Sequence, residues 1–174
     1  MKITRTPLPS REVDMNRSLL VLTISVGVLA FLSGALYFTQ IKAEGALLRP
    51  GDSKVVALGQ SLYQDNCASC HGSNLEGQPD WQSQNEQGRL PAPPHDENGH
   101  TWHHTDDLLF GLTKFGIVKI AKLKNYETDM PAYEGILTDD EIIAVLSFIK
   151  SKWPKEIRDM HDQRNRITAE REKQ

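Results

Sequence analysis

Cys67 and Cys70 stand three positions apart, and His71 follows directly, so the chain carries Cys67-Ala68-Ser69-Cys70-His71. Thiols at that spacing share one turn of a helix, and the next side chain projects beside them. The C-x-x-C-H pattern is the attachment site of a c-type haem. Each thiol adds to a vinyl group to give a thioether, and the imidazole becomes the proximal iron ligand. Other readings of these residues explain less. A thioredoxin-like C-x-x-C belongs in a βαβ context, and no strand pattern surrounds this one. A Cys₂His₂ zinc site could enlist His100 and His104, but the gap from Cys70 is unlike a compact zinc finger and leaves His71 without a role. A purely structural cysteine pair has no use for His71 either. One covalently bound haem c is therefore expected, held by Cys67 and Cys70 and ligated by His71.

A second axial ligand has to come from elsewhere. Downstream of the motif the methionines are Met130 and Met160. Met130 lies in Asp129-Met130-Pro131-Ala132-Tyr133, a stretch that Pro131 stiffens, ahead of a strong helix start. Met160 sits in a charged tail with nothing apolar to hold it. Met130 is expected as the distal thioether ligand, against the plainer reading of a core gap-filler. His95, His100, His103 and His104 crowd into ten residues. A polar, hydrogen-bonded loop over the haem propionates is the favoured reading. An accessory copper or zinc site, or a histidine displacing Met130, are the alternatives. Trp102 is a candidate donor to a propionate.

The elements that position these residues follow from pattern. Ser53 to Asn66 reads as a helix capped by Asp52 or Ser53, with Val55, Val56, Leu58, Gly59, Leu62 and Tyr63 on its inner face. Gly59 in mid-helix costs about 1 kcal/mol relative to alanine and so needs a packing reason. A middle helix runs from a Thr105 cap to Lys114 or Phe115, with Gly116 just past its end. Thr138-Asp139-Asp140-Glu141 is a capping box. Ile142, Val145, Leu146 and Ile149 then make one apolar face, which Ile143 and Phe148 broaden, and Pro154 stops the helix.

Together, Gly59-x₃-Tyr63-x₃-Cys67-x₂-Cys70-His71-Gly72, Met130-Pro131 and a terminal apolar helix resemble class I cytochrome c over about residues 52–153. The stretch Arg89 to His104 and the ending Phe148 to Pro154 are similar to a bacterial subgroup of membrane-anchored monohaem cytochromes. The resemblance implies an all-α fold wrapped on one covalent haem, and an electron carrier rather than an enzyme. It implies that the first and last helices cross closely at Gly59. It also implies a carbonyl from a proline loop that accepts the second N–H of His71, with Pro91, Pro93 and Pro94 as candidates. Finally, it places Lys114, Lys119, Lys122 and Lys124 near the exposed haem edge, as a docking patch for an acidic partner or as a solvated loop.

The chain has 174 residues, a formal charge of −3 and a 25% share of charged residues, which argues against nucleic-acid binding, a large enzyme or a multi-span transporter. Ser18 to Ile41 contains no charged residue. As a helix it would span about 36 Å, enough for a bilayer core of about 30 Å. Lys2, Arg5, Arg11 and Arg17 bias its N-terminal flank toward the cytoplasm. The rival is a signal peptide cleaved after Ser33-Gly34-Ala35, but the apolar run continues to Phe38. The expected organisation is a cytoplasmic leader (1–17), a single transmembrane anchor (18–41), a linker (42–51), a haem domain (52–153) and a charged tail (154–174) read as a solvated helix or a disordered end.

The expected function is transfer of single electrons between a membrane donor complex and an oxidase or other periplasmic acceptor. The haem domain would lie on the periplasmic side of a bacterial inner membrane. The alternatives are a peroxidase or gas sensor, which Met130 opposes, a cytochrome subunit of a larger redox complex, and a metal-handling or oxidase-assembly protein using the His95–His104 cluster.

Overall fold

Asp52 follows the turn at Pro50-Gly51, and its carboxylate accepts hydrogen bonds from the backbone N–H groups of Lys54 and Val55. That cap starts helix α1, Ser53–Asn66. The chain then makes a single turn, α2 (Ala68–His71), a 3-10 turn at Thr101–His103, and helix α3, Asp106–Phe115. A short turn, α4 (Ile117–Ile120), precedes a loop and two longer helices, α5 (Asp139–Lys152) and α6 (Lys155–Arg171). These coordinates are a computed structural model, which describes residues 46–174. The leader, the expected anchor at 18–41 and the start of the linker lie outside the described residues. Among the described residues there is no β-strand, only an isolated bridge between Glu134 and Leu137, and no helix is long and apolar enough to cross a membrane.

The expected caps form. The Thr105 hydroxyl accepts from the Leu108 N–H, and Gly116 closes α3 at φ 84°. Thr138 and Glu141 cap α5 reciprocally, the hydroxyl taking the Glu141 N–H and the carboxylate taking the Thr138 N–H. In α5 the residues Ile142, Val145, Leu146, Phe148 and Ile149 are all buried, each contributing about 1.5–3 kcal/mol through lost apolar exposure. They pack with Tyr63, Leu75, Leu109, Tyr133 and Trp153 into one core.

Gly59 has its packing reason. A Cβ there would lie 1.9 Å from the Ala144 carbonyl oxygen, so α1 and α5 cross backbone against backbone. Leu58, read as an inner-face residue, is 48% exposed. The close crossing turns the helix so that Gly59 and Tyr63, not Leu58, meet the core.

Two segments are built differently from their sequence reading. Leu48, assigned to the linker, is buried in the core. Its N–H donates to Asp106 Oδ2 at 3.1 Å, and the Arg49 N–H donates to Ser147 Oγ at 2.8 Å. The tail after Pro154 is a 17-residue helix that docks through polar groups. Lys150 is 1% exposed, with Nζ 2.6 Å from Asp162 Oδ1 and 3.6 Å from Asp106 Oδ1. Asn165 exchanges two hydrogen bonds with Asp106. His161 is fully buried, with Nε2 3.5 Å from Asp106 Oδ1 and its ring edge-on to Trp153. No apolar stripe was available to announce this contact.

Candidate haem site

The Cys67 N–H donates to the Tyr63 carbonyl at 2.8 Å, which lets the end of α1 pass straight into the single turn α2. On that turn the His71 N–H donates to the Cys67 carbonyl, and the Gly72 N–H to the Ala68 carbonyl. Cys67 and Cys70 are free thiols, Cys67 half-buried and Cys70 exposed. The Tyr63 hydroxyl donates to the Gly72 carbonyl at 2.9 Å and locks the turn against α1. Gly72 adopts φ 82°, where a side chain would also run into Glu76.

The buried His71 has Nδ1 2.8 Å from the Pro93 carbonyl oxygen. Of the three prolines left open by the sequence, the geometry selects Pro93. With the proton on Nδ1 donated to that oxygen, Nε2 keeps its lone pair for a metal. Burial pushes the imidazole below its ordinary range, and the Pro93 carbonyl partly offsets this. A neutral ring is the form a metal needs.

The proline segment is held by several strands of contact. The Gly77 N–H donates to the His71 carbonyl, and the Gln78 N–H to the Ala92 carbonyl, while the Ala92 N–H donates to Gln78 Oε1. Leu75, a buried non-glycine residue at φ 70°, presents its carbonyl to the His95 N–H at 2.7 Å. Such a conformation costs about 1–3 kcal/mol and persists because the neighbours over-determine it. The buried Trp153 indole donates to the His95 carbonyl at 2.7 Å.

Met130 is half-buried in the loop before α5, and its N–H donates to Thr128 Oγ1. That loop is pinned on both sides of the methionine. Asp129 pairs with Arg89. The Tyr133 N–H donates to the Thr113 carbonyl, and the Tyr133 hydroxyl donates to the Asn66 carbonyl at 2.6 Å. The hydroxyl therefore ties the Met130 loop to the residue preceding Cys67. Burial raises the Tyr133 hydroxyl to about 12 and the Cys67 thiol to about 11, so the unmodified cysteine is a thiol.

Each of the four clustered histidines makes a ring contact. His95 stacks on His71, His100 on Trp81, and His103 on Trp102, while His104 meets His100 edge-on. Among the described residues no three His, Cys, Asp or Glu side chains gather as a metal site. The Trp102 indole donates to the Glu97 carbonyl at 3.3 Å. Lys114 is drawn out of the basic segment by Asp139, 2.6 Å from its Nζ, while Lys119, Lys122 and Lys124 are exposed.

Two thiols on one turn, followed by an imidazole whose second nitrogen is already satisfied, fit a covalently held haem. Sequence reasoning missed Thr101, Tyr133 and Leu75. Their contacts join residues far apart in the chain, and no local spacing signals them. Trp153 was visible as part of a motif, but not its bond to the His95 carbonyl.

Residues 56–153 match the family model described as Cytochrome c. The chain is similar to the Cbb3-type cytochrome c oxidase subunit FixP of Bradyrhizobium diazoefficiens, 28% identical over 120 residues, which are 68% of this chain and 36% of that protein. The chain thus spans about a third of the length of that curated relative. No solved structure matches.

Proposed function

Since the matched family model covers more than half of it, this chain belongs to the cytochrome c family, and from that premise we propose that it is a membrane-tethered carrier of single electrons. The family brings a covalently bound haem c, which supplies the one-electron couple. Cys67 and Cys70 would hold the haem as thioethers, His71 Nε2 would take one axial position and the Met130 sulfur the other. A filled sixth position favours electron transfer over oxygen chemistry, and a thioether ligand raises the potential. The observation that carries the ligand assignment is the His71 Nδ1–Pro93 bond, which leaves a single ring nitrogen for iron.

The tether rests on the uncharged run from Ser18 to Ile41. A haem domain on such a tether meets partners in or on the same membrane, on the periplasmic side, at high effective concentration. The similarity to FixP, named as an oxidase subunit, favours a second reading, a permanent cytochrome subunit of a membrane redox complex.

Fractionation and redox titration test this. The native protein should sediment with membranes, resist a high-salt wash, and titrate as a single one-electron centre. Copurification with an oxidase at fixed stoichiometry in mild detergent would favour the subunit reading. A soluble periplasmic protein whose mature chain begins at Leu36 would overturn the tether.

A further inference from the structure

We propose that His95 is a positioning residue for the axial imidazole, its ring lying on the face of His71 and fixing the plane in which that ligand presents Nε2. This rests on the assignment of His71 as an iron ligand. The two rings are 4.0 Å apart between centroids and only 17° from parallel. A metal bonds an imidazole nitrogen in the ring plane, so a ring on the face restrains the ligand without covering its lone pair. The Pro93 hydrogen bond alone does not set that plane, because the second side-chain torsion of histidine is broad. The stacked ring supplies the missing restraint.

His95 is itself held from three directions. Its N–H donates to the Leu75 carbonyl, and its carbonyl accepts from the Trp153 indole, both at 2.7 Å. Its Nδ1 lies 2.8 Å from Thr101 Oγ1, and that hydroxyl lies 3.4 Å from the Pro94 carbonyl. The carbonyl can only accept, so the Thr101 proton points to Pro94, and its oxygen takes the Nδ1–H of His95. The Tyr63 ring stands edge-on to His95 at 6.4 Å. The chain from Thr101 through His95 to His71 therefore fixes a ring orientation, whereas an aliphatic residue at position 95 could only fill volume.

The test is electron paramagnetic resonance of the ferric holoprotein, whose g-values report the orientation of the axial imidazole, with melting temperature measured alongside. His95→Leu should shift or broaden the g-values. His95→Phe keeps a flat ring on His71 and should restore them toward wild type, even if both variants melt earlier. A volume-filling role would instead lower melting in His95→Leu and leave the g-values unchanged, and that result overturns the proposal. Should His95→Leu yield no holoprotein, Thr101→Val carries the test: it unties the His95 ring and should broaden the signal, and an unchanged signal overturns the proposal. The ferric sulfur–iron absorption separates this from the ligand reading. If wild type lacks that band while His95→Leu still shifts the g-values, Met130 is the failed assignment and the His95 proposal stands.

Discussion

The two sides of the haem site are built from different materials. On the His71 side every tie is accepted by a main-chain carbonyl: Pro93 O on Nδ1, Leu75 O on the His95 N–H, and the His95 carbonyl on the buried Trp153 indole. On the Met130 side they flank the methionine: the Arg89–Asp129 pair lies in solvent, the Thr128 hydroxyl is half-buried, and the Tyr133 bridge to Asn66 comes from the core. Buried hydrogen bonds keep their strength because water cannot compete, while exposed ion pairs are worth about 0–1 kcal/mol. The difference teaches that the histidine is presented by carbonyls of the main chain, whereas the methionine sits on a loop whose ties include an exposed ion pair.

The largest expected effect sits on the framework side. His71→Ala should remove most holoprotein, read as the haem absorbance retained per chain after purification. Near-normal haem loading would deny the proximal side its controlling role. A smaller effect is expected across the site. Tyr133→Phe removes the hydroxyl that fastens the loop to Asn66, which costs about 1 kcal/mol. If loop opening limits access to iron, added cyanide should bind the ferric protein about fivefold more tightly. Wild-type affinity would mean that the loop is held by something else.

The smallest effect concerns the backing of the framework. Burial, with Lys150 nearby, holds His161 below the ordinary histidine range, Asp106 and Asp162 opposing, and burial holds His95 well below it. The unfolded chain binds those protons near pH 6.5 while the folded chain rejects them, so stability falls as pH drops through about 6.5. Holoprotein melting should therefore decline between about pH 7 and 5. The decline should be shallower in His161→Gln, and an identical slope would remove His161 from the account.

Much of the architecture was legible because it is local. The capping box at Thr138, the Thr105 cap and the apolar face from Ile142 to Ile149 each declare themselves within a few residues. Gly59 was legible as an anomaly that needed a close neighbour, and Ala144 is that neighbour. The C-x-x-C-H motif was legible because its chemistry fixes its spacing. The choice of Pro93 was not, since three prolines offer similar carbonyls and the register is set by long-range pairings, Ala92 with Gln78 and His95 with Leu75. Helix α6 was unreadable as a docked element because periodicity reports apolar faces, and this helix is fastened by Asp162, His161 and Asn165.

Most depends on the proposed ligation of the iron by His71 and Met130. The ferric optical spectrum of wild type, Met130→Ala and Met160→Ala tests this in one experiment. Wild type and Met160→Ala should show the long-wavelength sulfur–iron band. Met130→Ala should lose it, keep its covalently attached haem, and bind carbon monoxide when reduced. A band that survives in Met130→Ala, or that is missing from wild type, would contradict the account and return the sixth position to another side chain.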